Sequence, residues 1–303
     1  MSKIRSARQK SCRQTHKISN ISEKMKVGSG MTEYKAIADK IKDADAILIG
    51  ASNGLSITEG LHLFADNQAF QEVFGDFKKK YSLHNILEGL FYNWRTLEEK
   101  WGFLSRLINH YSGSYQASPV MEKLRKIVGE KPYFVVTSNG EGHFELAGFD
   151  ADKVYEVEGN WIDMRCSKRC HEATYNSLEA VRTMASMEKD GIVPYDMIPK
   201  CPKCGAPMEL YDAQPQKTGI VEAWNAFLKE YHGKKLVILE LGIGWRNQLI
   251  KAPLMSLTAQ EVQATYVTIN LGEIYITENI KEKSYGLDGY LDEVIDKLYE
   301  ANV

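Results

Sequence analysis

Four of the five cysteines in the 303-residue chain form two close pairs. Three residues separate the members of the first pair and two separate those of the second; the four are Cys166, Cys170, Cys201 and Cys204. Thiolates on turns of this length can converge on one tetrahedral Zn²⁺, so the spacing predicts a zinc ribbon. Because four thiolates complete the coordination shell, we expect a structural metal with no open catalytic position. We expect His171 to lie outside that shell or to face solvent.

A loop of small residues follows the apolar run 46–49. Its candidate cofactor-binding residues are Gly50, Ala51, Ser52, Gly54, Leu55 and Ser56. Small side chains let the backbone approach a pyrophosphate, and the start of the following helix points N–H groups towards it. The pattern indicates a phosphate site, although an ordinary turn between a strand and a helix has the same composition.

Polar or glycine-containing loops also follow four other apolar runs of the chain. These runs are 133–137, 154–157, 235–240 and 265–270, and each predicts a buried strand. In an open parallel sheet the carboxyl ends of the strands share one edge, where ligands bind. We therefore expect the loops to meet at one edge of a sheet.

Helical patterns lie between these strands, at 32–44 with Thr32 as N-cap, at 221–232 and at 289–299. This order predicts an α/β fold, a Rossmann-like open parallel sheet with helices on both faces. A small zinc-ribbon and helical domain is inserted into it. We divide the chain into a disordered basic tail (1–30), a Rossmann-like part (31–60, 131–160 and 216–303), a helical module (61–130) and a zinc-binding module (161–215).

The helical module is rich in aromatic residues, most of which we expect in the core. A segment of this kind directly after a phosphate loop could also close over a cofactor. The aromatic residues are Phe64, Phe70, Phe74, Phe77, Tyr81, Phe91, Tyr92, Trp94, Trp101 and Phe103.

Bulk composition excludes several classes of function. The formal net charge of −2 argues against a dedicated nucleic-acid surface, and no apolar run is long enough to span a bilayer. We expect a soluble, cytoplasmic protein, because there is no apolar signal-peptide core and the few cysteines suit a reducing compartment. The basic residues 1–30 predict a disordered tail, with an organelle transit peptide as the alternative, and Cys12 in it is predicted to be an unpaired thiol.

From about Ala44 to the C-terminus, these elements in this order resemble the sirtuins. Sirtuins are NAD-dependent enzymes with a large dinucleotide-binding domain and a small zinc-and-helix domain. The family's Gly-Ala-Gly-x-Ser loop matches 52–56, its Thr-Gln-Asn-x-Asp motif matches 137–141, and its Ala-Gly matches 147–148. Its His-Gly matches 158–159, its Gly-Thr-Ser matches 242–244, and its late strand ending in asparagine ends here at Asn270.

Several positions depart from the sirtuin deacylases. The family's Pro-Asp-Phe-Arg matches His62 to Ala65, so its arginine is missing, and Glu158 and Glu141 replace its histidine and aspartate. The spacing of the first cysteine pair and the stretches 94–103 and 269–273 are more similar to the macrodomain-linked sirtuins of bacteria and fungi. That branch has glutamine in place of the histidine and is associated with ADP-ribosylation of lipoyl-carrier proteins.

The resemblance implies roles for individual residues. Asn139 would hold a ribose hydroxyl or a water, unless it only caps its loop. Glu158 would act as a base if burial raised its pKa enough. It could instead stabilise positive charge on the ribose or activate an acceptor side chain. The remaining alternative is a structural acid. Glu141 would bond the ribose or the nicotinamide amide, and Asn270 and Glu273 would hold the adenosine ribose. The implied NAD-binding set is Gly50, Ala51, Ser52, Gly54, Leu55, Ser56, Ser138, Asn139, Glu141, Gly242, Gly244, Asn270, Gly272 and Glu273.

These roles suggest an enzyme that cleaves the nicotinamide–ribose bond of NAD and transfers ADP-ribose to a protein acceptor, with Asn139 and Glu158 at the reaction centre. One alternative within the same fold is NAD-dependent deacylation of protein lysine. Another is a non-catalytic module that binds NAD or ADP-ribose. The expected partners are NAD and a protein substrate, which the resemblance suggests is a lipoyl-carrier or an acylated protein, and the expected cofactors are NAD and Zn²⁺. No nucleic-acid or membrane partner is expected.

Overall fold

The structure is a computed structural model that describes residues 31–213, 216–217 and 219–302. The basic tail and Cys12 lie outside the described residues. The strands are β1 Ala46–Ala51, β2 Tyr133–Thr137, β3 Val154–Glu156, β4 Asn160–Cys166, β5 Tyr175–Asn176, β6 Met208–Tyr211, β7 Leu236–Leu241, β8 Thr265–Asn270 and β9 Ser284–Asp288. The α-helices are α1 Met31–Asp43, α2 Asn53–Thr58, α3 Gln68–Tyr81, α4 Ile86–Leu90, α5 Leu97–Ile108, α6 Pro119–Val128, α7 His143–Leu146, α8 Leu178–Met187, α9 Ile220–Glu230, α10 Gln248–Gln260 and α11 Leu291–Asn302.

Six strands form one sheet in the order β3-β2-β1-β7-β8-β9, and every neighbouring pair is parallel. Ile47 in the central strand β1 lies opposite Tyr133 on one side and Val237 on the other. Counted along this sheet alone, the order is that of the Rossmann fold, and it reverses at β1. The crevice for a ligand is therefore expected beyond the carboxyl ends of β1 and its neighbours. The predicted α/β class is confirmed.

Helices cover both faces of the sheet because its strands are apolar on both sides. Ile47 and Ile49 pack against α1, α6 and α11, while Leu48 between them packs against α9 and α10. Successive side chains of a strand point to opposite faces, so an uninterrupted apolar strand needs a cover on each. This explains why runs without polar alternation predicted the sheet correctly.

The aromatic residues of the helical module form a separate core. Helices α2 to α6 connect β1 to β2, and the aromatic side chains of α3 and α5 share one core with α8 of the zinc module. The buried members include Phe70, Phe74, Phe77, Trp101 and Phe103. Phe64 and Phe91 are exceptions to the expectation that most of these residues lie in the core, since they are 52% and 82% exposed, and Tyr92 is also exposed. Phe64 stands in the connection before α3 and Phe91 just after α4, so neither is on the packed face of a helix.

The following details differ from the prediction or add to it. Helix α1 begins at Met31, so Thr32 lies inside the helix and is not its N-cap. Strand β9 was not predicted, because Ser-Tyr-Gly-Leu-Asp is short and only Leu287 in it is buried. Glu240 was assigned to an ordinary strand but is fully buried in β7, where it bonds Lys251 of α10 and the hydroxyl of Tyr266.

The zinc module contains the antiparallel sheet β5-β4-β6 and α8. Its connection back to the large sheet passes through Lys217, whose Nζ lies 2.6 Å from Asp163 Oδ2. None of the helices in the described ranges is long and apolar enough to span a membrane.

Candidate functional site

The loops after β1, β2 and β7 meet at the carboxyl edge of the sheet. The hydroxyl of Ser138 donates to that of Ser52 at 3.1 Å. The side-chain amide of Asn247 donates to the hydroxyls of both serines, at 2.8 Å and 3.1 Å. The three side chains form a polar cluster at the point where the strand order reverses, as the sequence predicted for the two serines.

Asn247 is a residue that sequence reasoning missed. It stands directly before α10, at a position where asparagine commonly caps a helix, but its side chain makes no cap bond. It instead reaches the two serines, which lie more than 100 residues earlier in the chain. The signal available in the sequence was a polar residue at the end of the glycine-containing loop that follows β7.

Asn139 has an amide group with one end bound and one end free. Its Nδ2 donates to the main-chain oxygen of Ser52 at 3.2 Å, and its main-chain N–H donates to Thr137 Oγ1 at 3.0 Å. Its Oδ1 is buried and has no hydrogen-bond partner in the part of the chain that the structure describes. A buried acceptor without a donor is costly, and a bound hydroxyl or water satisfies it.

Gly54 is required by contact between two loops. Its N–H donates to the main-chain oxygen of Gly242 at 2.9 Å, and a Cβ on Gly54 would lie 2.4 Å from Gly242 Cα. Gly242 itself has a φ of +62°, which favours glycine. The loop after β1 can therefore pack on the loop after β7 only because Gly54 has no side chain. The same feature would let a phosphate approach the backbone.

Gly50, Ala51 and Leu55 lie deeper than a loop surface. Gly50 and Ala51 are inside β1, where a Cβ on Gly50 would lie 2.2 Å from Leu254 Cδ1. Ala51 and Leu55 belong to the core beneath α11. The structure gives these three a packing role, so any contact with a cofactor would come through their backbone.

Replacing Gly54 by alanine is expected to lower the free energy of unfolding by about 1–3 kcal/mol, the usual cost of overpacking. The added methyl would meet backbone of the Gly242 loop, which cannot rotate away. Urea unfolding measures the loss. Gly75→Ala is the matched control, since nothing lies within 4 Å of its Cβ position in α3. An equal loss in both variants would contradict the contact as the cause.

Ser56 and Glu141, both predicted to contact the cofactor, are bonded to each other. The Ser56 hydroxyl donates to Glu141 Oε1 at 2.6 Å, and both residues are buried. The Ser112 hydroxyl donates to the main-chain oxygen of Glu141 at 2.8 Å. These bonds tie α2 and the helical module to the loop that carries Asn139.

The loop after β8 lies beside the loop after β7. The Asn270 side-chain amide donates to the main-chain oxygen of Glu273 at 3.0 Å, and the N–H of Trp245 donates to Glu273 Oε2 at 3.4 Å. A Cβ on Gly244 would lie 3.5 Å from the same carboxylate oxygen. Gly272 turns the loop with a φ of +70°. The structure therefore brings together Gly244, Asn270 and Glu273, as predicted.

Glu158 lies in the turn after β3 and is exposed, so it lacks the burial on which the first of its predicted roles depended. The chain leaves β3 after Glu156 and turns at Gly159, which has a φ of +85° and whose Cβ would lie 2.2 Å from the main-chain oxygen of Tyr211. Glu156 is the buried acid instead: it accepts a bond from the Asn160 amide, and burial raises its pKa well above the usual value.

The four predicted cysteines form one cluster. Their sulfur atoms all lie within 4.8 Å of one another, with Cys166 Sγ 3.4 Å from Cys204 Sγ and Cys170 Sγ 3.6 Å from Cys201 Sγ. Tetrahedral Zn²⁺ with Zn–S bonds of about 2.3 Å separates its sulfurs by about 3.8 Å. The donor set and its spacing fit a structural zinc.

His171 stands beside this cluster, outside the four sulfurs. Its Nδ1 is 3.1 Å from Cys170 Sγ, and its Nε2 is 2.8 Å from the hydroxyl of Tyr175. Hydrogen bonds, first among them one from the main-chain N–H of Cys170, lower the pKa of the Cys166 thiol to about 6, whereas burial raises the pKa of the Cys170 thiol to about 12.

Comparison with known proteins gives a relative along most of the chain. A protein ADP-ribosyltransferase of Staphylococcus aureus (strain Mu50) is 33% identical over 268 residues, which cover 84% of this chain and 83% of that protein. A solved sirtuin structure, from a study of substrate affinity, superposes with a TM-score of 0.57 over 89% of this chain and 99% of that one, at 17% identity. The chain belongs to the sirtuin family of ADP-ribosyltransferases.

Two further similar proteins agree with this family assignment. A probable bifunctional ADP-ribose hydrolase/ADP-ribosyltransferase of Fusarium oxysporum f. sp. cubense is 27% identical over 229 residues, covering 67% of this chain and 36% of that protein. The structure of a Sir2 homologue in complex with NAD superposes with a TM-score of 0.58 at 16% identity, covering 88% of this chain and 92% of that one. No family model matches the chain.

Proposed function

We propose that this sirtuin cleaves the nicotinamide–ribose bond of NAD and transfers the ADP-ribosyl group to a protein acceptor. The S. aureus relative's name supports the reaction class, an NAD-dependent transferase. The observation that carries the proposal is Asn139 Oδ1, which has no partner among the described residues and lies beside the Ser52, Ser138 and Asn247 cluster. A buried acceptor at the switch point of a Rossmann-type sheet fits a bound ribose.

The residues present fit the parts of a dinucleotide. Backbone of the Gly54 and Gly242 loops, with the Ser52 and Ser138 hydroxyls, would hold phosphates and ribose. Asn270 and Glu273 would hold the adenosine ribose from the loop after β8. Bound NAD would supply an ADP-ribosyl group whose bond to nicotinamide breaks with positive charge building on the ribose.

Asn139 and Glu158 are our proposed catalytic residues. Asn139 would keep its Nδ2 on the Ser52 oxygen while Oδ1 accepts a bond from a ribose hydroxyl or a water. Glu158, in its exposed position, is reachable by an incoming protein side chain. As that side chain bonds to the ribose carbon and nicotinamide leaves, the nucleophile's proton would pass to the Glu158 carboxylate.

The position of the deacylase arginine is Ala65 and that of its histidine is Glu158. These losses remove groups on which lysine deacylation depends in the family, so we rank transfer of ADP-ribose first. A lipoyl-carrier protein is the acceptor to try first, as the macrodomain-linked resemblance suggests.

The test is to incubate the purified protein with NAD labelled in its adenine half and to follow nicotinamide release and label on protein. Separate reactions contain no acceptor, a lipoyl-carrier protein or an acyl-lysine peptide. Label on the carrier is the expected result. Acyl transfer from the peptide would favour deacylation, and NAD-induced thermal stabilisation without nicotinamide release would favour a binding module.

Asn139→Ala is expected to slow nicotinamide release by at least about 10²-fold, the usual loss when one polar group is removed from a reaction centre. The variant loses the Nδ2 bond to the Ser52 oxygen but keeps the bond from its main-chain N–H to Thr137 Oγ1, so the fold should be kept. Asn302→Ala is a matched control, because Asn302 Oδ1 also has no partner within the described ranges but lies at the far end of α11. Equal rates for Asn139→Ala and the parent would contradict the assignment.

A further inference from the structure

A buried polar cluster, formed by Glu59, Tyr115, Ser118 and His143, lies behind Glu141 and takes no part in the steps above. The Glu59 side chain is 1% exposed, and its two oxygens accept bonds from the Tyr115 hydroxyl at 2.6 Å and the Ser118 hydroxyl at 2.5 Å. The ring of Tyr115 stacks on that of His143 with centroids 3.9 Å apart. Glu59, Tyr115 and Ser118 of the helical part thus surround the imidazole of His143, the first residue of α7.

His143 is held by a π turn. The turn, Asn109–Gly113, follows α5 and interrupts its regular hydrogen bonding, which leaves main-chain groups for other partners. His143 Nε2 lies 2.7 Å from the main-chain oxygen of Tyr111. Because a carbonyl only accepts, Nε2 must carry a hydrogen. The ring orientation is therefore defined, and Nδ1 points the other way.

Nδ1 of His143 faces two carboxylates. It is buried, and among the described residues it has no hydrogen-bond partner. Glu59 Oε2 lies 3.8 Å away and Glu141 Oε1 lies 3.9 Å away. A bare lone pair between two carboxylate oxygens is unfavourable, whereas a proton on Nδ1 turns the contact into attraction towards both.

We propose that His143 is a positioning residue whose protonated Nδ1 links Glu59 to Glu141 and so holds Glu141 and Ser56 at the cofactor. Glu59 follows α2, the helix that starts at the phosphate loop, and Glu141 shares its loop with Asn139. The link therefore fixes two sides of the site relative to each other. It rests on the proposed function in so far as Glu141 faces NAD.

Two amide variants test the roles of the two ring nitrogens separately. In His143→Gln the amide can still donate to the Tyr111 oxygen but leaves nothing at Nδ1; in His143→Asn an amide stands near Nδ1 but cannot reach Tyr111. We expect His143→Gln to lower kcat for nicotinamide release about 10-fold, in the range of coupling between contacting residues, with KM for NAD near the parent's. His143→Asn should retain more of kcat than His143→Gln.

A double-mutant cycle tests whether the effect passes through Glu141. His143→Gln should cost little in a Glu141→Gln background, because the link is already gone. His232→Gln is the control: His232 pairs with Glu261 at 2.8 Å near the end of α9, and its loss should leave kcat unchanged. An unchanged kcat in His143→Gln, or full additivity in the cycle, would overturn the proposal.

Nitrogen NMR of histidine-labelled protein tests the link without turnover. The spectrum of His143, assigned by its absence in His143→Gln, should show hydrogen on both ring nitrogens. A bare Nδ1 would overturn the link whether or not the protein consumes NAD. Conversely, a protonated Nδ1 in a protein that releases no nicotinamide would leave the link standing and contradict the proposed function.

Discussion

Cys201→Ser is expected to lose the metal and to unfold the zinc module. Structural zinc contributes about 10–16 kcal/mol in small zinc domains, far more than the stability of a module this size. The hydrophobic cluster around the four sulfurs is small: among the described residues, Ala206 and Met208 are buried beside Cys166 and Cys201. Without the ion, little apolar packing remains to hold the two cysteine turns together.

Metal analysis should give about one zinc per parent chain and much less in Cys201→Ser. Hydrogen exchange should rise across 160–213 and along α5, because α8 packs against α5 and shares the aromatic core. Cys12→Ser, which changes the cysteine outside the two pairs, is the control and should keep its zinc. A metal-free parent with full stability would exclude the ribbon.

Glu158→Gln is expected to lower nicotinamide release to an acceptor by about 10²–10⁴-fold, the range of general acid–base contributions. Glu158 is exposed, so losing its charge should leave the fold and the affinity for NAD near the parent's. Thermal stabilisation by NAD measures the affinity, and initial rates of nicotinamide release measure the chemistry.

Two comparison variants make this test decisive. Glu156→Gln changes the buried acid two residues earlier, which bonds Asn160 and should affect stability more than rate. If Glu156→Gln loses activity and Glu158→Gln does not, the catalytic assignment belongs to the buried acid. Glu158→His restores the deacylase histidine, and a gain of acyl-lysine cleavage would show that the native glutamate directs the site to other chemistry.

Much of the architecture was predictable because it depends on local patterns. The apolar runs became five of the six parallel strands, and the cysteine spacing became one cluster of sulfurs. A strand buried on both faces must be apolar throughout, and each cysteine pair has the short spacing that a zinc site uses. Strand β9 was not predicted, because a strand with a single buried residue contains no apolar run.

Within the site, residue types were predictable but their environments were not. The sequence placed Ser52, Ser138 and Asn139 on loops at one edge, yet it could not show that Asn247 joins the serines or that Asn139 Oδ1 is left free. The same limit applies to the two acids at the end of β3. Glu156 is buried within the strand and Glu158 is exposed in the turn that follows, and burial raises the pKa of the Glu156 carboxyl.

The sequence by itself determined the α/β fold, the zinc cysteines and the edge at which the site lies, because each depends on spacing within a few residues. Only the tertiary structure decided the contacts across 80 or more residues: Ser56 with Glu141, Gly54 with Gly242, and His143 with Glu59. Such contacts depend on how two distant loops approach each other. That approach is set by packing of the whole sheet and its helices, which no local spacing records.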